Sequence, residues 1–254
     1  MKYFLPEFRP KKSFGQNFLK NPRVVEKIIA AAAISPNDLV VEVGPGFGVL
    51  TEALLQKARR VIAIEKDVAL YTHLKEKFRS AKNLELFHAD ALKVSPPREP
   101  YLLVANIPYS ITSPLLDHFI REQPENLPKR AVFLVQKEVA QKICAKPPDM
   151  NVLALHIQSF GAPKIIAYVS KNNFEPRPKV DSAVIKIEFE KEESRNRNKE
   201  YEKYFSLIHA AFAQRRKMLR AVFPKELLAR AGIDGTRRPE TLSTDEWWRL
   251  TAVA

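Results

Sequence analysis

Between residues 39 and 145, short runs of branched apolar residues alternate with longer stretches of helical spacing, and this alternation limits the fold more than anything else in the chain. The runs are Leu39–Val43, Val61–Ile64, Leu84–Phe87, Leu102–Ala105 and Ala131–Val135. Each is too short for a helix and apolar along nearly its whole length, as strands covered on both faces are. Val49–Ala58, Asp67–Phe78, Pro114–Arg121 and Glu138–Ala145 lie between or after them with helical patterning. Pro22–Ile34 precedes the series as a further helix, with Pro22 in its first turn and Asn21 placed to cap it. Parallel strands need such crossovers, so the pattern predicts an α/β fold with a parallel sheet sandwiched by helices. Lys164–Tyr168 and Ser182–Phe189 are late strands that could close the sheet as an antiparallel pair. In the second, Ala183, Ile185, Ile187 and Phe189 share one face.

The composition changes at Lys191. Lys191 to Glu202 is charged and poor in apolar residues, as a linker or a solvated helix start would be. Beyond it Tyr204–Phe223, Lys225–Ala231 and Asp245–Leu250 are helical in pattern, broken at Pro224 and at Gly232–Gly235. The expected division is therefore an α/β domain over 1–190 and a small all-helical domain over 191–254.

Charge narrows the partner. The chain carries 42 Lys and Arg against 29 Asp and Glu, a formal net charge of +13, which favours a polyanion and above all nucleic acid. Cys144 is the single cysteine, so an intramolecular disulfide is excluded; its apolar neighbours Val139, Ala140 and Ile143 suggest a buried, inert thiol. The five His are scattered without ligand spacing, so no metal is expected. Met1 to Lys12 is basic and broken by proline, unlike a signal peptide. No apolar run reaches the roughly 18 residues of a membrane helix. A cytoplasmic protein without membrane contact is the expectation.

Four strand ends carry residues suited to chemistry. The first predicted strand runs into Glu42-Val43-Gly44-Pro45-Gly46-Phe47-Gly48, where glycines allow a tight turn and close approach to a ligand. The second ends in Glu65, twenty-one residues after Gly44, where doubly wound folds place an acid against ribose hydroxyls. Both features suit a nicotinamide enzyme or a methyltransferase. Val49 stands where the dinucleotide fingerprint wants a small residue, which argues against the first. The third strand ends in His88-Ala89-Asp90-Ala91, with an acid that can accept from an adenine amine or cap a following helix. The fourth ends in Asn106-Ile107-Pro108-Tyr109. An aromatic exocyclic amine is a poor nucleophile because its lone pair is delocalised into the ring. A side-chain carbonyl from Asn106 and a backbone carbonyl from Pro108 could accept both of its hydrogens, and Tyr109 offers a face on which an extruded base can stack.

In order and spacing these motifs resemble the bacterial small-subunit ribosomal RNA adenine-N6,N6-dimethyltransferases, a branch of the group that also holds the erythromycin-resistance methylases. The likeness runs from about Lys11 to Leu250. It also includes Lys12-Ser13-Phe14-Gly15-Gln16-Asn17-Phe18-Leu19, Gln136-Lys137-Glu138-Val139 and Phe174-Glu175-Pro176-Arg177-Pro178-Lys179-Val180-Asp181-Ser182. The resemblance implies a seven-stranded, Rossmann-like class I methyltransferase sheet with S-adenosyl-L-methionine as donor. It implies a cofactor site built from Asn17, Leu19, Gly44, Glu65, Asp90 and Asn106. It implies that Phe174 packs on the target base opposite Tyr109, joining Asn106, Pro108 and Tyr109 in the catalytic group. The implied partner is the small ribosomal subunit and its RNA, methylated during assembly on two adjacent adenosines of a hairpin loop near the 3′ end; a monomer is expected. One departure is Asp149-Met150-Asn151-Val152-Leu153-Ala154, where the family usually has Tyr-Gly-x-Leu-Ser, in a segment expected beside the active-site face. Arg215, Arg216, Lys217 and Arg220 follow closely on a predicted helix, with 216 and 220 on one side, as a cationic stripe for RNA. The alternatives are a large-subunit resistance methylase, a non-catalytic RNA-binding or transcription-assisting relative and, more distantly, a nicotinamide dehydrogenase.

Overall fold

In the computed structural model, residues 8–11, 15–189 and 198–254 are described. Lys12-Ser13-Phe14 of the N-terminal motif, most of Met1–Lys12 and the start of the charged stretch at Lys191 lie outside the described residues.

The apolar runs become strands because each can be covered on both faces. β1 is the short Phe18–Leu19, and α1 (Pro22–Ala32) follows, capped by the Asn21 side chain on the Arg23 amide. β2 (Leu39–Val43), β3 (Arg60–Glu65), β4 (Leu84–His88), β5 (Tyr101–Asn106) and β6 (Arg130–Gln136) then alternate with α2 (Val49–Leu55), α3 (Val68–Lys77), α4 (Thr112–Leu116) and α5 (Lys137–Ile143). All five residues of β2 are buried, as befits the middle of the sheet. Helix α6 (Val152–Gln158) precedes β7 (Gly161–Val169), the two-residue β8 (Phe174–Glu175) and β9 (Ser182–Phe189). Among the described residues, seven strands form one sheet in the order β4-β3-β2-β5-β6-β9-β7. The pairs β4·β3, β3·β2, β2·β5 and β5·β6 are parallel, and β9 runs antiparallel to β6 with Ser182 opposite Gln136. This late strand closes the sheet as its pattern suggested.

The order reverses between β2 and β5. Their crossovers leave in opposite directions, so the carboxyl ends of the two strands open onto a crevice, the usual ligand position in such sheets. The glycine turn stands at the end of β2 and Asn106 at the end of β5. β1 and β8 make a separate antiparallel pair, with Leu19 opposite Phe174, that ties the N-terminal strap to the loop before β9.

The chain divides into two compact units, with breaks after Ala140, Pro163 and Phe189. Residues 141–163 belong with the C-terminal helices. The reason is a shared core: Met150, Ala154 and Leu155 pack with Tyr204, Ile208, Leu219, Leu228, Trp247 and Leu250. α7 (Asn198–Ala213), α8 (Lys225–Arg230) and α9 (Thr244–Val253) supply most of that unit. The atypical segment at 149–154 is therefore part of the helical unit's core and of a cap, since Asn151 accepts from the Ala154 amide at 3.0 Å to start α6. Cys144 is half-buried rather than buried, one residue past the end of α5.

The cationic stripe is not formed as expected. α7 ends at Ala213, and Arg215, Arg216 and Lys217 lie in a turn, while Arg220 sits in a short 3-10 segment. Leu219 is fully buried in the helical core, which bends the chain away from the axis of α7. All four cations remain exposed. They form a cluster on a turn, not one side of a helix.

Candidate active site and cofactor cleft

The turn after β2 needs glycine for two distinct reasons. Gly44 and Gly46 adopt φ of +67° and +61°, in the left-handed region that side chains disfavour. At Gly46 space is also short, since a Cβ there would lie 3.0 Å from the Phe18 ring, while one on Gly44 would make ordinary contact with Cδ of Pro108 at 3.6 Å. The bare turn thus lets the N-terminal strap and the loop after β5 close down around one cleft. That cleft holds about 860 Å³ of space, part of it open to solvent. Its walls include Asn17, Gly44, Gly46, Glu65, Asp90, Asn106, Pro108 and Tyr109.

Glu65 is buried at the end of β3 and is held by two backbone donors. Its Oε1 accepts from the Asp67 amide at 2.8 Å and its Oε2 from the Gly46 amide at 3.1 Å. Each oxygen keeps a lone pair for a further donor. Burial raises the Glu65 pKa, with the Asp67 charge adding to the rise, and the backbone amides of Asp67, Gly46 and Lys66 offset this only in part. Asp90 behaves oppositely: the ion pair with Lys66 at 2.8 Å lowers its pKa. Its Oδ1 accepts from the Leu92 amide at 3.1 Å, so the capping role open to it in the sequence is realised while the carboxylate still lines the cleft. Two carboxylates with spare lone pairs and a cradle without side chains fit a nucleoside-bearing ligand. Replacing Glu65 by Ala is expected to weaken binding of S-adenosylhomocysteine by about 10- to 150-fold, the worth of one charge-assisted hydrogen bond. Calorimetry measures this; an unchanged dissociation constant would make Glu65 a brace for the turn alone.

Asn106 ends β5 with its amide fixed. Its Nδ2 donates to the Asn17 carbonyl at 3.2 Å, which leaves Oδ1 for an incoming donor. Asn17 is itself held, its Nδ2 donating to the Gly15 carbonyl at 3.0 Å. The Pro108 carbonyl already accepts from the Ile111 amide at 3.0 Å but has a second lone pair. The Tyr109 hydroxyl lies 2.5 Å from Oγ of Ser182, so the start of β9 fixes the ring from the side. Burial raises the Tyr109 pKa, keeping the phenol neutral. An acceptor-rich corner beside a half-buried aromatic ring is suited to a flat base bearing an amine.

The profile of the ribosomal RNA adenine dimethylase family matches residues 7–253. The chain belongs to this family. Curated relatives named ribosomal RNA small subunit methyltransferase A include one from Dehalococcoides mccartyi, 43% identical over 95% of this chain and 87% of that protein. One from Clostridium botulinum is 40% identical, covering 96% of this chain and 94% of its own. Among solved structures, a dimethyladenosine transferase from Plasmodium falciparum superposes with a TM-score of 0.83 at 30% identity, covering 92% of this chain and 95% of that one. The 23S rRNA methyltransferase ErmE superposes at 0.79 with 29% identity, over 93% and 99%. The fold is that of the class I methyltransferases, a class that uses S-adenosylmethionine.

Two residues that the family resemblance assigned to the site are buried in this dimethylase. Phe174 is 1% exposed, packs in the core cluster with Leu19, Val24 and Val184, and is not among the residues that line the cleft. Its pairing with β1 explains this, since the strand bond turns the side chain inward. Leu19 is buried in the same cluster and borders only a smaller hollow behind the glycine turn. Other groups at the site had no role assigned from the sequence. Gln16 and Lys11 both reach Asp67 Oδ2, at 3.1 and 3.0 Å, and pin the strap across the cleft. Burial raises the Asp67 pKa, but Lys11, the Ala69 amide and Gln16 outweigh it and the net shift is downward. Glu42 borders the small hollow with Gly44 and Asn106, fully buried, its Oε2 without a hydrogen-bond partner. A single acid inside a buried apolar strand was the available signal. Among the described residues, no group of three or more His, Cys, Asp and Glu is placed to share a metal ion, and no helix is long and apolar enough to cross a membrane.

Proposed function

We propose that the chain transfers methyl groups from S-adenosylmethionine to N6 of two adjacent adenosines in a hairpin loop near the 3′ end of small-subunit ribosomal RNA, forming N6,N6-dimethyladenosine. The observation that carries this is the fixed Asn106 amide, whose Nδ2 is spent on the Asn17 carbonyl and whose Oδ1 is left at the cleft wall beside Pro108 and Tyr109. S-adenosylmethionine, when bound, supplies an electrophilic methyl group. Glu65 and Asp90 would accept from its ribose hydroxyls and adenine amine, and the strap through Asn17 would cover it. Asn106 Oδ1 and the Pro108 carbonyl would accept the two N6 hydrogens, drawing that nitrogen toward tetrahedral geometry so that its lone pair can attack. Tyr109 would hold the base flat. These residues position and polarise; no early general base is needed, because the amine becomes acidic only once it has attacked and can then lose its proton to water.

The small subunit is favoured over the large one by relatives at about 40% identity that are named for it, against 29% for ErmE. The exposed cluster of Arg215, Arg216, Lys217 and Arg220 would contact phosphates from the helical unit. The test uses subunits from a strain lacking this protein. Labelled methyl should enter small-subunit RNA, and primer extension should stop at two neighbouring adenines. Label in large-subunit RNA, or in neither, would overturn the proposal.

A further inference from the structure

β7 is the last strand of the sheet, and its outward face is unusual for an edge. Lys164, Ile166 and Tyr168 are exposed at alternate positions, Ile166 by 37% and Tyr168 by 56%. Pro163 and Lys164 supply the proline and charge that protect an edge, so the exposed aliphatic and aromatic that follow are not needed for that purpose. The Tyr168 ring also has a cation on it: Nζ of Lys137 stands 5.2 Å from its centroid.

The position of this pair matters as much as its chemistry. Lys137 is the first residue after β6, and its amide donates to the Asp181 carbonyl at 2.9 Å. Asp181 in turn accepts from the Lys171 amide at 2.9 Å, and it precedes Ser182, whose hydroxyl meets Tyr109. Tyr168, near the end of β7, is thereby joined through Lys137 and Asp181 to the residue that fixes the aromatic wall of the cleft. The surface is basic: from Lys164 to Ser182 the chain has four cations, Lys164, Lys171, Arg177 and Lys179, against two acids, Glu175 and Asp181. Val180, 44% exposed, adds apolar surface beside them.

We propose that Tyr168 is a stacking platform for an RNA base flanking the target adenosine, with Lys137 contacting the phosphate between the two. This rests on the RNA-methylating function proposed above. A substrate of two adjacent adenosines requires one base to stay outside the cleft while the other is inside. An exposed ring, linked through Lys137 and Asp181 to the residue that fixes the cleft's aromatic wall, holds such a base without regard to its sequence, since every base has a π face. The lysine over the ring supplies the charge that a backbone passing from cleft to platform needs.

The test separates stacking from charge and from the chemistry. Binding of a fluorescein-labelled single-stranded oligoribonucleotide containing two adjacent adenosines is followed by anisotropy over a range of salt. Loss of one base stack should weaken affinity about 5- to 150-fold. Tyr168→Ala should show such a loss at every salt concentration, with the slope of log affinity against log salt unchanged. Tyr168→Phe should bind within about twofold of wild type, because a phenyl ring also stacks. Lys137→Ala should instead flatten the slope by about 0.7, as one lost phosphate contact does on single strands. S-adenosylhomocysteine affinity should be the same in all three. If Tyr168→Ala binds the oligonucleotide as wild type does, the platform is refuted. If it impairs binding of whole subunits but not of the oligonucleotide, the surface meets protein and the proposal is equally overturned. A wild-type protein that transfers no methyl to RNA would overturn the function reading, while this binding comparison would still decide the platform.

Discussion

Asn106→Ala is expected to lower methyl transfer to small subunits by on the order of 100-fold or more in kcat, with the cofactor still bound. The loss follows from removing one preorganised acceptor aimed at a nitrogen that must rehybridise, and single donors or acceptors of this kind at a transition state are worth that much. The side chain has a second duty. Its Nδ2 holds the Asn17 carbonyl at 3.2 Å, and Asn17 lines the cofactor cleft. That neutral hydrogen bond contributes only about 1 kcal/mol, so the affinity for S-adenosylhomocysteine should fall by less than about tenfold. Asn106→Asp separates the two duties. A carboxylate keeps an acceptor for the amine but sets an oxygen against the Asn17 carbonyl, so its cofactor affinity should fall further than that of the Ala variant. Turnover is measured with labelled donor on unmodified subunits, and affinity by calorimetry. Near wild-type kcat in Asn106→Ala would remove the side chain from the reaction.

The sheet was legible in the sequence because buried parallel strands must be apolar on both faces, and Leu39–Val43 or Ala131–Val135 can be little else. Glu65 and Asn106 were legible because strand ends in this topology point at the crevice, so position along the chain translates directly into position in the site. What stayed hidden depends on pairing between distant segments. Nothing local in Phe18-Leu19 or Phe174-Glu175 announces a two-residue strand pair, yet that pair buries Phe174 and Leu19. The helical continuation past Ala213 was misread for a similar reason. Leu219 and Phe223 keep an apolar spacing compatible with one long helix, but the core they fill is reached by a turn and a 3-10 segment. The grouping of 141–163 with the C-terminal helices depends on Met150, Ala154 and Leu155 finding Tyr204 and Trp247, partners about fifty to a hundred residues away.

Glu42 leads to the other large effect, on stability. It is 1% exposed within β2, its Oε2 has no hydrogen-bond partner, and burial pushes its pKa up to about 8. The Thr51 hydroxyl and the Lys77 charge pull the pKa back only in part, and Glu65 adds to the rise. An unfolded chain ionises this carboxyl near 4.5, the folded chain near 8. Between those values unfolding releases a proton, so the contribution of Glu42 is most favourable below 4.5 and is lost as pH rises toward 8. From pH 5 to pH 8 the loss is roughly 3 kcal/mol. Glu42→Gln removes that titration while keeping the shape. Its amide brings two hydrogens into a buried setting, of which the Thr51 hydroxyl can accept one; a hydrogen left over is a fixed cost of about 1–3 kcal/mol that does not vary with pH. The difference in unfolding free energy between variant and wild type should therefore climb by roughly 3 kcal/mol across pH 5 to 8, with the variant gaining at the alkaline end. All other titrating groups cancel in that difference. Urea unfolding at pH 5, 6.5 and 8 measures it, and a difference that stays flat would mean that Glu42 is ionised in the folded protein throughout. A stability cost of this size, placed on the strand that carries the glycine turn and in a hollow shared with Asn106, is the kind that natural proteins keep where function requires it.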